Sequence, residues 1–169
     1  MIPKELRTER LLLRQWREED AEALAEIYGQ PHYLEHNSPL DPDQTKKQIL
    51  QFTLGWLHEG FSLWAADDLQ TGRFVGRIGL IRHDDWPLAA DPVEVGWTLH
   101  ADYTGRGLAT EGGRAAVECW REHLDDPQLL SITWPDNRRS RAVMERLGLT
   151  YRGETDWRTH HVVWYALDR

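Results

Sequence analysis

The sequence predicts an α/β protein built on a mixed, mostly antiparallel central sheet flanked by helices. Three observations lead there. Short alternating apolar runs and longer helical patterns follow one another in the order β-α-α-β-β-β-α-β-α-β-β. The stretch from Val93 to Thr110 passes from a strand through a glycine turn straight into a helix. That helix, over 108–123, must carry the chain from a strand at 93–100 to one at 129–134, and a right-handed crossover makes the two parallel neighbours.

Each element has its own signal. The run 10–16 reads as the first strand, and 18–28 as a helix with Ala21, Leu24, Ala25 and Tyr28 on one face. Gly29, Pro31, Pro39 and Pro42 make 29–42 a loop, which carries His32, Tyr33, His36 and Asn37. Asp43 is the expected cap of a second helix reaching His58, with Ile49, Phe52, Thr53, Trp56 and Leu57 toward the core and Gly60 as its stop. The runs 61–66 and 74–82 form a hairpin across a polar turn that ends at Gly72. The loop 83–92, with Trp86 and Pro87, leads into the strand 93–100, where Val93, Val95, Trp97 and Leu99 alternate with Glu94, Gly96, Thr98 and His100. Helix 108–123 gathers Leu108, Gly112, Ala115, Ala116, Cys119 and Trp120 on one face. Pro135 stops the apolar strand 129–134, Gly148 ends a helix over 138–147, and strands at 149–156 and 160–167 close the sheet. No repeat, low-complexity tract or linker interrupts 1–169, so a single domain is expected.

Composition narrows the function classes. The chain has 169 residues, 28% charged and 40% hydrophobic, which suits one soluble domain with a core of its own. No apolar run approaches the roughly 20 residues of a membrane span, and the polar start does not read as a signal peptide. The single cysteine, Cys119, excludes an internal disulfide and suits a reducing, cytoplasmic setting; on the apolar helix face it reads as a packed side chain. There is no C-x-x-C or H-E-x-x-H, and adjacent His160 and His161 point to opposite faces of a strand, so no metal site is expected. A net charge of −8 disfavours nucleic acid and favours a cationic partner such as an amine. The nine tryptophans serve a core, an aromatic acceptor pocket or an oligomer interface.

The glycine turn has the makings of an anion site. The first N–H groups of a helix lack intrahelical partners and carry partial positive charge. Gly105 and Gly107 let the backbone reach positive φ and let a phosphate approach closely, and Arg106 adds a cation. A tight turn with a solvated arginine is the competing account. No Walker string G-x-x-x-x-G-K-[ST] occurs. The dinucleotide pattern G-x-G-x-x-G fails at its third glycine, where Thr110 stands.

The six residues Thr104-Gly105-Arg106-Gly107-Leu108-Ala109 resemble the acetyl-coenzyme A loop of the GNAT N-acetyltransferases, [QR]-x-x-G-x-[GA], with Thr104 at the position of Gln or Arg. The run from Asn137 through Ser140, Val143, Glu145 and Gly148 to Leu149 is similar to that family's N-x-x-S-x-x-V-x-E-x-x-G-[FL] segment. The opening, from Thr8 through Arg14 to Trp16 followed by Glu19-Asp20, resembles the Rim branch, which acetylates ribosomal-protein N-termini. The resemblance covers almost the whole chain. It implies a GNAT-like sheet whose parallel strand pair splays apart, with the pantetheine arm in the gap. It also implies acetyl-CoA as co-substrate without a metal, held by Trp97, Leu99, Thr104, Gly105, Arg106, Gly107, Leu108, Ala109, Thr110 and Asn137. The acceptor it implies is an amine, on a peptide N-terminus or on a small molecule such as an aminoglycoside or amino-acid-like compound. The enzyme would be a monomer or homodimer. A non-catalytic acyl-CoA sensor is the rival function class.

Acetyl transfer to an amine needs a neutral nucleophile, donors for the carbonyl oxygen as it gains charge, and modest help for a thiolate that titrates at about 8.5. Glu94 is the candidate base, against the alternative of a strand carboxylate paired with an arginine. Asn137, by resemblance, bonds the pantetheine arm or orients water; it is also an excellent helix N-cap, and both roles can hold. Ser140 is the candidate donor to the coenzyme sulfur, because Met144 stands where many GNAT enzymes carry a tyrosine. Tyr33, His36 and Trp86 are the candidate acceptor contacts.

Overall fold

The computed structural model describes residues 1–169. Eight strands form one sheet in the order β1-β2-β3-β4-β5-β6-β8-β7. They are β1 (Leu6–Arg7), β2 (Leu11–Arg14), β3 (Leu63–Asp68), β4 (Phe74–Arg82), β5 (Val93–Leu99), β6 (Gln128–Thr133), β7 (Thr150–Trp157) and β8 (His160–Asp168). The helices are α1 (Asp20–Tyr28), α2 (Pro31–Leu34), α3 (Pro42–His58), α4 (Leu108–His123) and α5 (Arg138–Arg146). Every neighbouring pair is antiparallel except β5 and β6, the pair joined by the α4 crossover.

That parallel pair is short. Its register covers only Val93 opposite Leu129 and Glu94 opposite Leu130, and beyond it the strands part. Ser131 Oγ donates to Val95 O at 2.9 Å just where pairing stops. The expected splay is therefore present, and it lies at the C-terminal ends of both strands.

Side-chain alternation assigns the two faces. Ile78 and Leu80 of β4 pair with Trp97 and Val95 of β5 and face α4. Gly112 permits close approach there, because a Cβ on it would sit 2.5 Å from Ile78 Cδ1. Arg77, Gly79 and Ile81 pair with Thr98, Gly96 and Glu94 on the opposite face. Phe52 of α3 and Tyr28 of α1 pack over Arg77 on that side. Trp64 and Trp120 are fully buried in the main core. Trp16 and Trp56 donate their indole N–H groups to the same carbonyl, Leu63 O, at 2.9 and 3.1 Å. No helix is long and apolar enough to cross a membrane.

Several boundaries differ from expectation. The first strand is the short β2, with a two-residue β1 before it, because residues 8–10 turn to bond Glu111. Pro31 and Pro42 begin helices rather than break them, since proline suits the first helical position. The α3 cap is Asp41, not Asp43: its carboxylate accepts from Gln44 N at 2.8 Å, and Gln44 Oε1 accepts from Asp41 N at 2.9 Å. Thr53 and Leu57 lie on the exposed flank of α3; Thr45, Ile49, Phe52 and Trp56 form its buried stripe.

Candidate active site

A cleft of about 1210 Å³ opens where β5 and β6 diverge. It is bordered by β5, the glycine turn, the start of α5, α2 and the outer face of β4.

The glycine turn adopts the conformation its residues predict. Gly105 (φ 72°) and Gly107 (φ 80°) are left-handed, and Gly107 is the residue that opens α4. A Cβ on Gly105 would meet open space. No amide from residue 105 to residue 110 donates a hydrogen bond within the chain, so a row of N–H groups faces the cleft mouth or solvent. The turn is held from behind. Arg10 Nη1 donates to Arg106 O at 2.9 Å, and its Nε donates to Glu111 Oε2 at 2.7 Å. Glu111 Oε1 also accepts from Arg10 N at 2.7 Å and from Thr8 Oγ1 at 2.5 Å. Burial would raise the Glu111 carboxyl, but these donors outweigh it and hold the group below the usual carboxylate range.

Among the predicted coenzyme contacts, Trp97, Leu99, Thr104, Gly105, Gly107, Leu108, Ala109, Thr110 and Asn137 all line the cleft. Arg106 does not: its guanidinium lies 5.2 Å over the Tyr103 ring, so only its backbone serves the turn. Arg10, Arg114, Arg138, Arg139 and Arg146, which the sequence reading did not single out, border the cleft, so it is cationic in a chain that is acidic overall.

Glu94 and Ser140 line the same cleft. The partner of Glu94 is not an arginine but His83, whose Nε2 lies 2.6 Å from Glu94 Oε2. A carboxylate only accepts, so the imidazole carries its proton on Nε2 in that pairing. Glu94 Oε1 accepts from Ile132 N at 3.3 Å across the strand gap, which fixes the carboxylate between β5 and β6. His83 is 5% exposed and packs edge-on to Trp157 at 4.8 Å. Asn137 caps α5 by accepting from Ser140 N at 3.2 Å and donates to Thr133 Oγ1 at 2.9 Å. Its capping role is thus met, and one side-chain N–H remains without a partner in the chain. Met144 is buried in the core beneath.

Two of the three expected acceptor contacts border the cleft. Tyr33 stacks on Tyr28 at 4.5 Å, and burial lifts its hydroxyl to about 12. His36 stacks on Trp134 at 5.7 Å and lies 3.5 Å from Asp136. Trp86 is the exception. It is buried with Leu130, Val162 and Ala166 against the sheet, edge-on to Trp157 and Trp164. A tryptophan in an apolar loop covers a sheet face more readily than it lines an open pocket. Trp134 and Trp157 take the cleft-lining role instead.

A split parallel pair beside a left-handed glycine turn, with unpaired amides on one side and a carboxylate on the other, defines an α/β fold with an anion-ready cleft at its strand gap. The profile of the family described as Acetyltransferase (GNAT) domain matches residues 10–150, and the chain belongs to that family. An acetyltransferase from Agrobacterium tumefaciens str. C58 is similar at 30% identity, covering 100% of this chain and 96% of its own, with a TM-score of 0.85. Two more distant structures share the fold. One is RimL, a ribosomal L7/L12 alpha-N-protein acetyltransferase in complex with coenzyme A (19% identity, 99% and 97% covered, TM-score 0.76). The other is the aminoglycoside acetyltransferase AAC(6')-Ib in complex with coenzyme A (20%, 94% and 95%, TM-score 0.78).

Proposed function

We propose that this chain transfers an acetyl group from acetyl-coenzyme A to a primary amine, by direct attack within a ternary complex. The observation that carries the reading is the row of unpaired amides at 105–110, opening onto the gap between β5 and β6. Left-handed glycines with open space around Gly105, backed by Arg10, fit a diphosphate. The coenzyme would supply a thioester, an acyl donor whose thiol leaves readily.

The chain's own residues do the rest. Residues 104–110 hold the diphosphate, and Trp97, Leu99 and Asn137 border its arm. Glu94, steadied by His83, takes the proton of the attacking amine directly or through water. Ser140 donates to the sulfur as it departs. A modest base suits an α-amine, which titrates at about 7.7–8.0 and is partly neutral at pH 7. This agrees with a peptide N-terminus, as for RimL; a small amine, as for the aminoglycoside enzyme, is the second reading.

Thiol release from acetyl-CoA, followed with peptides of free and blocked N-terminus and with small amines, tests the assignment. Release that depends on a free amine supports it. Coenzyme A binding with no release on any amine reassigns the chain as a binding module.

A further inference from the structure

Three arginines rise from the sheet into partly or fully buried surroundings, and two of them are neutralised. Arg14 forks between Asp20 and Asp67, with N···O distances of 2.8 and 2.6 Å. Arg82 lies between Glu59 and Asp126, at 2.9 and 2.8 Å. Arg77, on β4, has no carboxylate at hydrogen-bond or ion-pair distance, although the charge of Glu94 acts on it from further off. Its Nε donates to Tyr28 Oη at 2.8 Å, and Tyr28 Oη donates on to Gln48 Oε1. The guanidinium lies 5.9 Å over the Tyr28 ring and 5.8 Å over Phe52. Its two terminal nitrogens find no acceptor in the chain, although Arg77 lines the cleft together with Tyr33, Gln48 and Phe52.

A cation held between aromatic rings, fixed by one bond at Nε and left with a free fork, is poised for an anion. Those nitrogens are not among the buried polar atoms that lack a partner, so they are open to the cleft and to a ligand entering it. Its place also sets it apart from the coenzyme loop, although both border the cleft. Arg77 faces the α1–α3 side of the sheet, whereas the 104–110 turn opens α4, which packs on the other face. Arg77 shares its face with Glu94: the register sets Arg77 opposite Thr98 and Ile81 opposite Glu94, four residues earlier in β5. Cation and candidate base thus bracket the acceptor side of the cleft.

We infer that the acceptor is an amine that also bears a carboxylate, which the terminal nitrogens of Arg77 bind while the amine is presented toward Glu94. This deepens the acetyl-transfer reading and rests on it. The same site disfavours polycationic acceptors, because Arg77 repels them. The carboxylate comes either from a free amino acid or from an acidic side chain near a peptide N-terminus.

The test measures thiol release from acetyl-CoA with free L-amino acids, each beside its primary amide, and with tripeptides differing only by Asp for Asn or Glu for Gln in the first three positions. The expected result is a kcat/KM for one acid series on the order of 10–100-fold above its amides. Arg77→Met removes that preference, Arg77→Lys restores part of it, and the amides change less than about threefold in both variants. Thermal melts and coenzyme A titrations confirm that the variants fold. Preference among free amino acids identifies the first source, and preference among tripeptides the second. Equal rates for acids and amides, or a preference that survives Arg77→Met, overturns the inference while leaving acetyl transfer intact. If no amine is acetylated, the acetyl-transfer reading fails separately. Calorimetry of the acids and tripeptides on the coenzyme A complex then decides: binding lost in Arg77→Met upholds the anion site, and no binding overturns it.

Discussion

Glu111 is the hinge pin of the anion turn, and replacing it with glutamine isolates its contribution. Glu111 accepts three hydrogen bonds, two from Arg10 and one from Thr8. Arg10 in turn grips Arg106 O. Glutamine keeps one acceptor oxygen but sets an NH2 group against the Arg10 Nε–H. A bond between charged groups contributes roughly 1.5–3 kcal/mol when shielded. The Arg10 side chain is 44% exposed, so solvent screening reduces this to about 1–2 kcal/mol. For a chain of this length the melting temperature should fall by roughly 2–8 °C. Freeing Arg106 O costs about one further hydrogen bond in holding the turn, so coenzyme A affinity should fall about fivefold. Thermal melts and calorimetric titration read both. The pH dependence has a definite sign. The carboxyl of Glu111 is held low in the folded state, so its stabilisation is complete above the ordinary carboxylate value of about 4.3 and is lost as pH falls through the folded-state value. The gap between wild type and variant should therefore be constant from about pH 6 to 8 and close in stronger acid. A variant that melts within a degree of wild type and binds coenzyme A as tightly refutes the account of the turn.

Glu94→Gln should lower kcat by about 100-fold while coenzyme A affinity stays the same, and full activity in steady-state assays across pH removes the Glu94–His83 pair from the chemistry. Arg14→Met strands Asp20 and Asp67 as buried unpaired carboxylates and should cost roughly 3–5 kcal/mol in urea unfolding. Gly76 has φ 147°, and a Cβ there would lie 2.1 Å from Thr98 O. Gly76→Ala should therefore destabilise by roughly 3 kcal/mol, seen as a lowered urea midpoint with an unchanged slope.

The helix over 108–123 was legible to the residue, because a sharp apolar period meets left-handed glycine at one end. The parallel neighbours followed from that one crossover. The caps of α2 and α3 were less legible, because Pro31 and Pro42 signal a helix start and a helix break with the same residue. The candidate coenzyme contacts from 104 to 110 sit contiguously in sequence, so a local motif exposes them. His83 and Arg77 do not. Each is an ordinary strand or loop residue until the β4–β5 register sets Ile81 opposite Glu94 and Arg77 opposite Thr98. Only cross-strand pairing, a non-local fact, brings them to the cleft. The loop from 83 to 92 gave no sign that Trp86 folds inward as a lid on β6 and β8.

The brevity of the β5–β6 pairing has a mechanical consequence. Two residue pairs join the first five strands to the last three, reinforced by the Ser131 hydroxyl and the Glu94 carboxylate. The sheet thus has a seam at its centre, as short in register as the β1–β2 pairing at its edge. Opening along that line should move β6, β7 and β8 as one flap with their own ladders zipped, and hydrogen exchange checks it: their amides should exchange with heavy water as a cooperative block.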